Sequence, residues 1–193
     1  MDKIINVLID SLEDDPLVNY IVLKKKGNNK KRLLSYWAVA LKAGMLYANT
    51  KIMSDNSGII IWKNPGTPKL GYRERWKAGM LQLPFKLGIK SSLRAAIVDY
   101  YQNMAEKKAV SGRYSHLLLI AVDPSKHQSG IAGELMEHYL SQPEIASLPC
   151  YTETVSKKVV AVGKHFGFEV VLETKMPGKC PPIWSMVRAP QQL

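Results

Sequence analysis

The chain has 193 residues, of which 46% are hydrophobic and 22% charged, a balance typical of one globular domain with a buried core. No apolar run reaches the eighteen or so residues that a membrane span requires, and the acidic N-terminal segment lacks the bases of a signal peptide. We therefore expect a cytoplasmic protein without membrane association. The formal net charge of +11 favours an anionic partner, such as a phosphorylated ligand, a nucleic acid or a charged surface.

The N-terminal third is predicted to be helical, because apolar residues recur there at helical spacing. One set ends near Pro16, and a second set runs from Leu33 to Met45. Six basic residues lie between the two sets, from Lys24 to Arg32. We interpret this basic run as a solvated loop between helices, with contact to phosphate or to an acidic substrate as the alternative.

The central part of the chain first changes period and then returns to helix. Residues 47–53 and 58–63 flank the turn formers SDNSG, which predicts a β-hairpin. Residues 71–109 are again predicted to be helical, with breaks near Pro84 and Gly88. In the later helix we expect one apolar stripe to face inward, formed by Leu93, Ala96, Ile97, Tyr100 and Met104.

The C-terminal half alternates between strand and helix patterns. Strands are predicted over residues 116–122, 149–155, 168–173 and 183–188, and helices over residues 130–141 and 156–166. This alternation indicates an α/β organisation with a mixed sheet. The two cysteines, Cys150 and Cys180, show neither the spacing of a disulfide framework nor that of a metal site, so we expect reduced thiols.

The segment IAVDPSKHQSGIAGELM, residues 120–136, is the most informative part of the sequence. A buried-type strand ends at Val122, Pro124 stops it, and Gly130, Ala132 and Gly133 begin an amphipathic helix. Free N–H groups at a helix N-terminus form an anion site, and small residues allow a diphosphate to approach them. Neither a dinucleotide-binding GxGxxG nor a Walker GK[ST] is present. A tightly packed turn remains the alternative interpretation.

This segment resembles motif A of the GNAT superfamily of N-acetyltransferases, in which arginine or glutamine is followed by two variable residues, glycine, one variable residue and glycine or alanine. Gly130 and Ala132 match the two small positions. His127 stands at the arginine or glutamine position, with Gln128 directly after it. Residues 150–171, with TET and GFEVV, resemble the following strand, helix and Gly-Phe strand of the family, and PPIWSMVR resembles the end of a GNAT subgroup.

The resemblance implies an α/β fold of the α+β type. Its sheet would be mixed and mostly antiparallel, flanked by helices, and splayed between the strands at about 116–122 and 149–155. It also implies a single domain over residues 1–193 that binds CoA through its half at about 114–188. The helical parts, residues 1–46 and 66–113, are expected to shape the acceptor site.

The resemblance further implies that acetyl-CoA is the co-substrate, with its pantetheine along the free edge of one strand and its diphosphate on the loop amides. The cofactor-binding residues would then be Ile120, Ala121, Val122, His127, Gln128, Ser129, Gly130, Ile131, Ala132, Gly133 and Ser156. In such proteins a neutral amine attacks the thioester directly, while a backbone N–H polarises the developing oxyanion.

The catalytic residues are less evident in the sequence. The family places its usual proton-donating tyrosine four residues before the glycine of the Gly-Phe pair, and Gly163 stands there. Solvent or another group such as Tyr139 would protonate the leaving thiolate, or the thiolate would leave unprotonated. Glu153, beside the expected cleft, is the first candidate for the base, and His116 is the second. Glu134 and His138 lack a third partner, so no metal site is predicted.

The sequence thus predicts an acetyl-CoA-dependent N-acetyltransferase. We expect its acceptor to be an amine, with a small molecule favoured over a polycation because the net charge is positive. One alternative is a CoA-binding sensor or scaffold with little or no turnover. The other is a binder of nucleic acid or another anionic surface, although the basic run lacks interleaved aromatics and nucleic acid is disfavoured as a partner.

Overall fold

A computed structural model describes residues 2–22, 29–68 and 70–190, and residues 24–28 of the basic run lie outside these ranges. Three helices come first: α1 (Asp2–Ser11), α2 (Pro16–Val22) and α3 (Asn29–Tyr47). The expected hairpin follows as β1 (Asn49–Ile52) and β2 (Gly58–Lys63). No helix in these described ranges is both long and apolar enough to cross a membrane.

Three further helices precede the second half of the sheet. They are α4 (Tyr72–Ala78), α5 (Leu83–Leu87) and α6 (Ile89–Ala109), and the breaks between them fall where glycine and proline predict them. The remaining elements alternate, as the sequence indicates. They are β3 (Ser115–Val122), α7 (Ile131–Leu140), α8 (Pro143–Ala146), β4 (Cys150–Thr154), α9 (Lys157–His165), β5 (Phe168–Thr174) and β6 (Ile183–Arg188).

The six strands form one mixed sheet in the order β1-β2-β3-β4-β6-β5. Every neighbouring pair is antiparallel except β3 and β4, which are parallel and are joined by the α7–α8 crossover. The fold is therefore the mixed, mostly antiparallel sheet with flanking helices that the sequence predicted.

Each face of the sheet buries its own cluster of apolar side chains. Because side chains alternate along a strand, Ile59 and Ile61 of β2 pack with α1, α2 and α3, while Ile60 and Trp62 pack with α7. All four are buried, which explains why β2 has a continuous apolar run rather than an alternating one.

The inward face predicted for α6 is wrong. Ser91, Val98 and Ala105 are its buried positions, whereas Leu93 is 60% exposed and Tyr100 is 64% exposed. Arg32 explains the shift, because it is buried beneath the start of α6, where it donates to the hydroxyl of Ser91 and to the carbonyl of Val22. The helix therefore turns the face of Ser91, Val98 and Ala105 inward, with Ser91 against this arginine. Arg32, although part of the basic run, is not solvated.

Candidate active site

Strands β3 and β4 separate after a short common stretch. They pair only over residues 115–117 of β3, and beyond this point β3 continues to Val122 paired with β2 alone. A bulge accompanies the separation: Leu117 and Leu119 face successive residues of β2, so Leu118 is the extra residue. The splay predicted from the sequence is thus present, and Ile120, Ala121 and Val122 lie on the part of β3 that β4 does not cover.

A side-chain hydrogen bond marks the point at which the strands divide. The hydroxyl of Thr152 donates to the carbonyl of Leu117 at 3.0 Å. Leu117 and Thr152 are also the last paired residues of the two strands. Thr152 therefore gives the Leu117 carbonyl a partner where the parallel ladder ends.

The loop after β3 is ordered by its own side chains. Asp123 accepts hydrogen bonds from the amide and the hydroxyl of Ser125, at 2.9 and 2.7 Å, and this begins a 3-10 turn over Pro124–Lys126. Gln128 then adopts a positive φ of 67°, which non-glycine residues rarely do, and Gly130 has a φ of 84°. These two left-handed residues turn the chain into the N-terminus of α7.

The hairpin turn of β1 and β2 holds this loop in place. The carboxylate of Asp55 accepts from the ammonium group of Lys126 and from the amide of Ser57. The amide of Asp123 donates to the carbonyl of Ser57 at 2.8 Å. Because Lys126 hydrogen-bonds to it, the pKa of Asp55 lies well below its usual range, and the pair stays charged at neutral pH. The loop is thus fixed to the sheet before any ligand binds.

The start of α7 presents open space beside its backbone. A Cβ atom built on Gly130 or on Gly133 would have no heavy atom within 4 Å apart from the adjoining chain. The first-turn amides of a helix lack intrahelical acceptors, so the space lies next to N–H groups that can bind an anion. His127, Gln128 and Ser129 are exposed in the same loop, and Ile131 and Ala132 are half-buried. These residues fit a diphosphate group chemically.

Ser156 lies at the other side of the cleft, at the turn between β4 and α9. It is the residue that precedes α9, its amide donates to the hydroxyl of Thr154 at 3.1 Å, and its side chain does not cap the helix. The side chain of Ser156 is half-buried.

A polar cluster lies on the α6 face of the sheet next to the splay. Nδ1 of His116 is 2.9 Å from the carboxylate of Glu106 in α6, and the ring of His116 contacts the ring of Tyr151 with centroids 4.8 Å apart. The hydroxyl of Tyr151 donates to Glu153 at 2.8 Å and lies 3.2 Å from the hydroxyl of Ser185. The two residues proposed from the sequence for catalysis, His116 and Glu153, therefore belong to one connected cluster.

The environment of the cluster shifts its acids toward their protonated forms. Burial raises the pKa of Glu153, and the hydrogen bond from Tyr151 only partly opposes this. Burial and the nearby Glu153 raise the pKa of Tyr151, so its phenol remains protonated and acts as a donor. Burial, together with Glu106, raises the pKa of Tyr114 to about 12. A carboxylate with a raised pKa is suited to accepting a proton near neutral pH.

Neither the position of the family's tyrosine nor Tyr139 supplies a proton donor for the leaving thiolate. Gly163 faces the sheet, since a Cβ there would lie 2.9 Å from the terminal carbon of Met186. Tyr139 is fully buried, and its hydroxyl donates to Ser115. The suggestion that Tyr139 could serve as the acid is therefore wrong, because its phenol is used inside the α7 core.

Sequence reasoning missed Glu106, Tyr114, Tyr151 and Ser185. The alternation of Tyr151 and Glu153 along β4 would have placed both on one face of the sheet, but nothing in the sequence shows that Glu106 lies opposite them. In the described ranges, no group of three or more His, Cys, Asp or Glu side chains is arranged to hold a metal ion. Cys150 and Cys180 are buried free thiols.

Comparison with known proteins shows the fold. No family model and no curated protein sequence match the chain. Solved structures do match, including "histone acetyltransferase HPA2 and related acetyltransferase" from Corynebacterium glutamicum, with a TM-score of 0.70 and 16% identity over 100% of this chain and 92% of that chain. Arylalkylamine N-acetyltransferase 2 from Aedes aegypti matches with a TM-score of 0.55 and 14% identity, covering 97% of this chain and 94% of that chain.

A third matching structure is a protein of Pyrococcus horikoshii OT3, with a TM-score of 0.54 and 13% identity over 100% of this chain and 90% of that chain. Identities this low carry the fold and nothing finer. The chain therefore has the GNAT fold that the sequence predicted.

Proposed function

We propose that the protein is an acetyl-CoA-dependent N-acetyltransferase that transfers the acetyl group directly to an amine. The observation that carries the proposal is the splay of β3 from β4, which ends in an amide-lined turn with open space at Gly133. A strand edge without a neighbour can bond to the amides of pantetheine, and a helix N-terminus can bind diphosphate. The splay begins after Leu117, the residue that follows His116, and His116 belongs to the same polar cluster as Glu153.

We place acetyl-CoA along this surface. Its diphosphate would contact the amides of residues 130–133 at the start of α7, with the side chains of His127, Gln128 and Ser129 at the rim. Its pantetheine would follow Ile120, Ala121 and Val122, opposite Ser156. The fixed loop favours this placement because the amides are held in position before binding, so little ordering entropy is lost.

Glu153 is our candidate for the general base. The acceptor first releases its extra proton to solvent. The neutral amine nitrogen then forms a bond to the thioester carbonyl carbon, the C–S bond breaks, and the remaining excess proton on nitrogen passes to the Glu153 carboxylate, directly or through one water molecule. Tyr151 orients this carboxylate through its hydrogen bond. His116, which contacts Glu106, is the second candidate. Replacing Glu153 and His116 in separate variants and measuring acetyl transfer shows which of them is the base.

The leaving thiolate has no tyrosine to protonate it, because Gly163 stands where the family has its proton-donating tyrosine. Gly163 packs against Met186, so a tyrosine there would have to displace core atoms. We propose that the thiolate departs with its charge and takes a proton from solvent. This arrangement is compatible with slow turnover, and a CoA-binding module without turnover remains the second candidate function.

We further propose that residues 1–46 and 66–113 shape an acceptor site for a small cationic amine. Glu106 from α6 and Glu153 from β4 lie near one another and suit a positively charged acceptor before it loses its proton. The proteins with similar folds are named for histone and arylalkylamine acceptors, which are also amines. The net charge of +11 disfavours a polycationic acceptor.

The test is isothermal titration with acetyl-CoA and with free adenosine. Gly133→Glu should abolish binding of acetyl-CoA, because a carboxylate would occupy the open space without requiring a positive φ at that position. Ser147→Glu, which adds the same charge at the far end of the α7–α8 unit, is the matched control and should bind normally.

Three outcomes are informative. Micromolar binding to acetyl-CoA that Gly133→Glu alone removes, followed by acetylation in an amine screen, supports the enzyme. The same binding without any acetylation or amine-dependent CoA release supports the CoA-binding module. Failure of the folded wild-type protein to bind acetyl-CoA contradicts both, and a steep salt dependence of binding to nucleic acid would then favour the third interpretation.

A further inference from the structure

The face of α6 that turns away from the sheet is unusually apolar for a solvent-exposed helix. Ile89, Leu93, Ile97 and Tyr100 follow one another at spacings of four, four and three residues, so they share one side of the helix. They are between 36% and 73% exposed, and Phe85 of α5, just before the helix, is 92% exposed. We name these five residues the α6 ridge, which extends about 17 Å along α6.

Most of the charged residues around the ridge are basic. By helical spacing, Lys90, Lys107 and Lys108 lie beside the ridge, and Lys86 neighbours Phe85; all four are exposed. Of the two acids of α6, Asp99 is exposed next to Tyr100 and pairs with Arg75 of α4, while Glu106 faces the polar cluster. Residues 70–108 carry eight bases and three acids. The ridge is thus an apolar strip with positive flanks.

Phe85 and Ile89 also edge a shallow depression at the α5–α6 corner. Lys90 and the buried Arg32 line the same depression. Apolar and cationic groups therefore meet at one place on the surface, not on separate sides of the molecule.

Contrary to the expectation from the sequence that the protein has no membrane association, we propose that the α6 ridge binds peripherally to the surface of a membrane containing anionic lipids. Exposed aliphatic and aromatic side chains flanked by lysines can insert into the headgroup region, while the ammonium groups remain with lipid phosphates. Each lysine near such a surface adds to the attraction. The contact is at the membrane surface, because no helix in residues 2–22, 29–68 and 70–190 could cross a bilayer.

Charge argues for this occupant over two others. A second copy of the chain would bring two sets of lysines together, which opposes self-association through the ridge. Nucleic acid would meet the positive flanks but would leave Ile89, Leu93 and Ile97 unburied, because phosphates and sugars offer no apolar partner for a row of aliphatic residues. An anionic bilayer satisfies both the apolar strip and the lysines.

Membrane binding of this kind is independent of acetyl transfer, so it can be measured without CoA. Flotation with vesicles of phosphatidylcholine alone should leave the protein unbound. Vesicles in which a third of the lipid is phosphatidylglycerol should bind it at low salt and release it as salt is raised. Replacement of Lys86 and Lys90 by glutamine should weaken the partition coefficient by about tenfold or more.

Matched variants separate the ridge from overall charge. Lys157→Gln with Lys158→Gln removes the same charge from exposed positions of α9 and should leave binding nearly unchanged. Leu93→Ser should weaken binding by about tenfold through lost apolar burial. Val162→Ser, at a comparably exposed position of α9, should not.

Three results would overturn the proposal. The first is no partition into the anionic vesicles by the folded protein. The second is an equal loss in the α6 and α9 lysine variants, which would reduce the effect to net charge. The third is a different occupant of the ridge. A dimer in analytical ultracentrifugation that Leu93→Ser dissociates would make the ridge an interface between copies, and binding of an acidic protein but not of vesicles would make it a protein-binding surface.

Discussion

Glu153 combines two properties that make its replacement informative. Its carboxylate accepts from Tyr151, and burial raises its pKa. If it is the base, Glu153→Gln should lower kcat by about a hundredfold or more while acetyl-CoA still binds, because glutamine preserves the hydrogen bond but takes up no proton. In the wild-type protein, kcat/KM should rise with pH through the raised pKa of Glu153, and the variant should lose this limb.

The same substitution, Glu153→Gln, should lower activity but raise the stability of the folded protein. A carboxyl whose folded-state pKa is raised contributes stability at pH values below its unfolded pKa and loses it as pH rises through the folded value. Glu153→Gln should therefore be more stable than the wild-type protein at neutral pH, measured by urea unfolding. Glu169→Gln, at an exposed position of β5, is the control for both measurements. An active Glu153→Gln enzyme would shift the role to His116.

At the level of elements, a hydrogen bond from the hydroxyl of Thr152 to the carbonyl of Leu117 marks the separation of β3 from β4, and a single substitution removes it. Thr152→Val keeps the side-chain shape but leaves the Leu117 carbonyl without its hydroxyl partner, so the free energy of unfolding should fall by about 1 kcal/mol. Thr50→Val is the matched control. In the described part of the chain its buried hydroxyl has no hydrogen-bond partner, so its removal should be neutral or stabilising. Equal losses in both variants would contradict the role given to Thr152.

The elements also show where the sequence was sufficient. The hairpin and the α7 turn could be predicted because turn formers, apolar runs and small residues are local signals, whereas the splay of β3 was expected only from the resemblance to a known family. The inward face of α6 could not, because apolar spacing identifies a stripe without identifying what covers it, and the burial of Arg32 against Ser91 is a contact across 59 residues. The partnership of Glu106 with His116 was missed for the same reason: it depends on how α6 is rotated on the sheet.

At the scale of the whole molecule, the N-terminal helices and the sheet share one apolar cluster. Leu8 of α1 is fully buried in it, together with Ile59 and Ile61 of β2 and Ala121 of β3. If residues 1–193 fold as one domain, damage in α1 should reach the CoA-binding half. Leu8→Ala is therefore expected to cost about 3 kcal/mol and to lower Tm by about 2–4 °C per kcal/mol in one transition.

Two probes decide this. Circular dichroism reports the helices, and stabilisation by acetyl-CoA reports the half of the chain at about 114–188, so in a single cooperative unit both must shift to the same midpoint in Leu8→Ala. Leu46→Ala is the control, because this leucine is 51% exposed and its truncation should move neither probe appreciably. A variant that loses helical signal at a lower temperature while the acetyl-CoA response keeps its wild-type midpoint would show instead that α1 unfolds separately. The part of the acceptor site proposed for residues 1–46 would then unfold at a lower temperature than the half that binds acetyl-CoA. Acetyl transfer should in that case be lost well below the temperature at which acetyl-CoA ceases to bind.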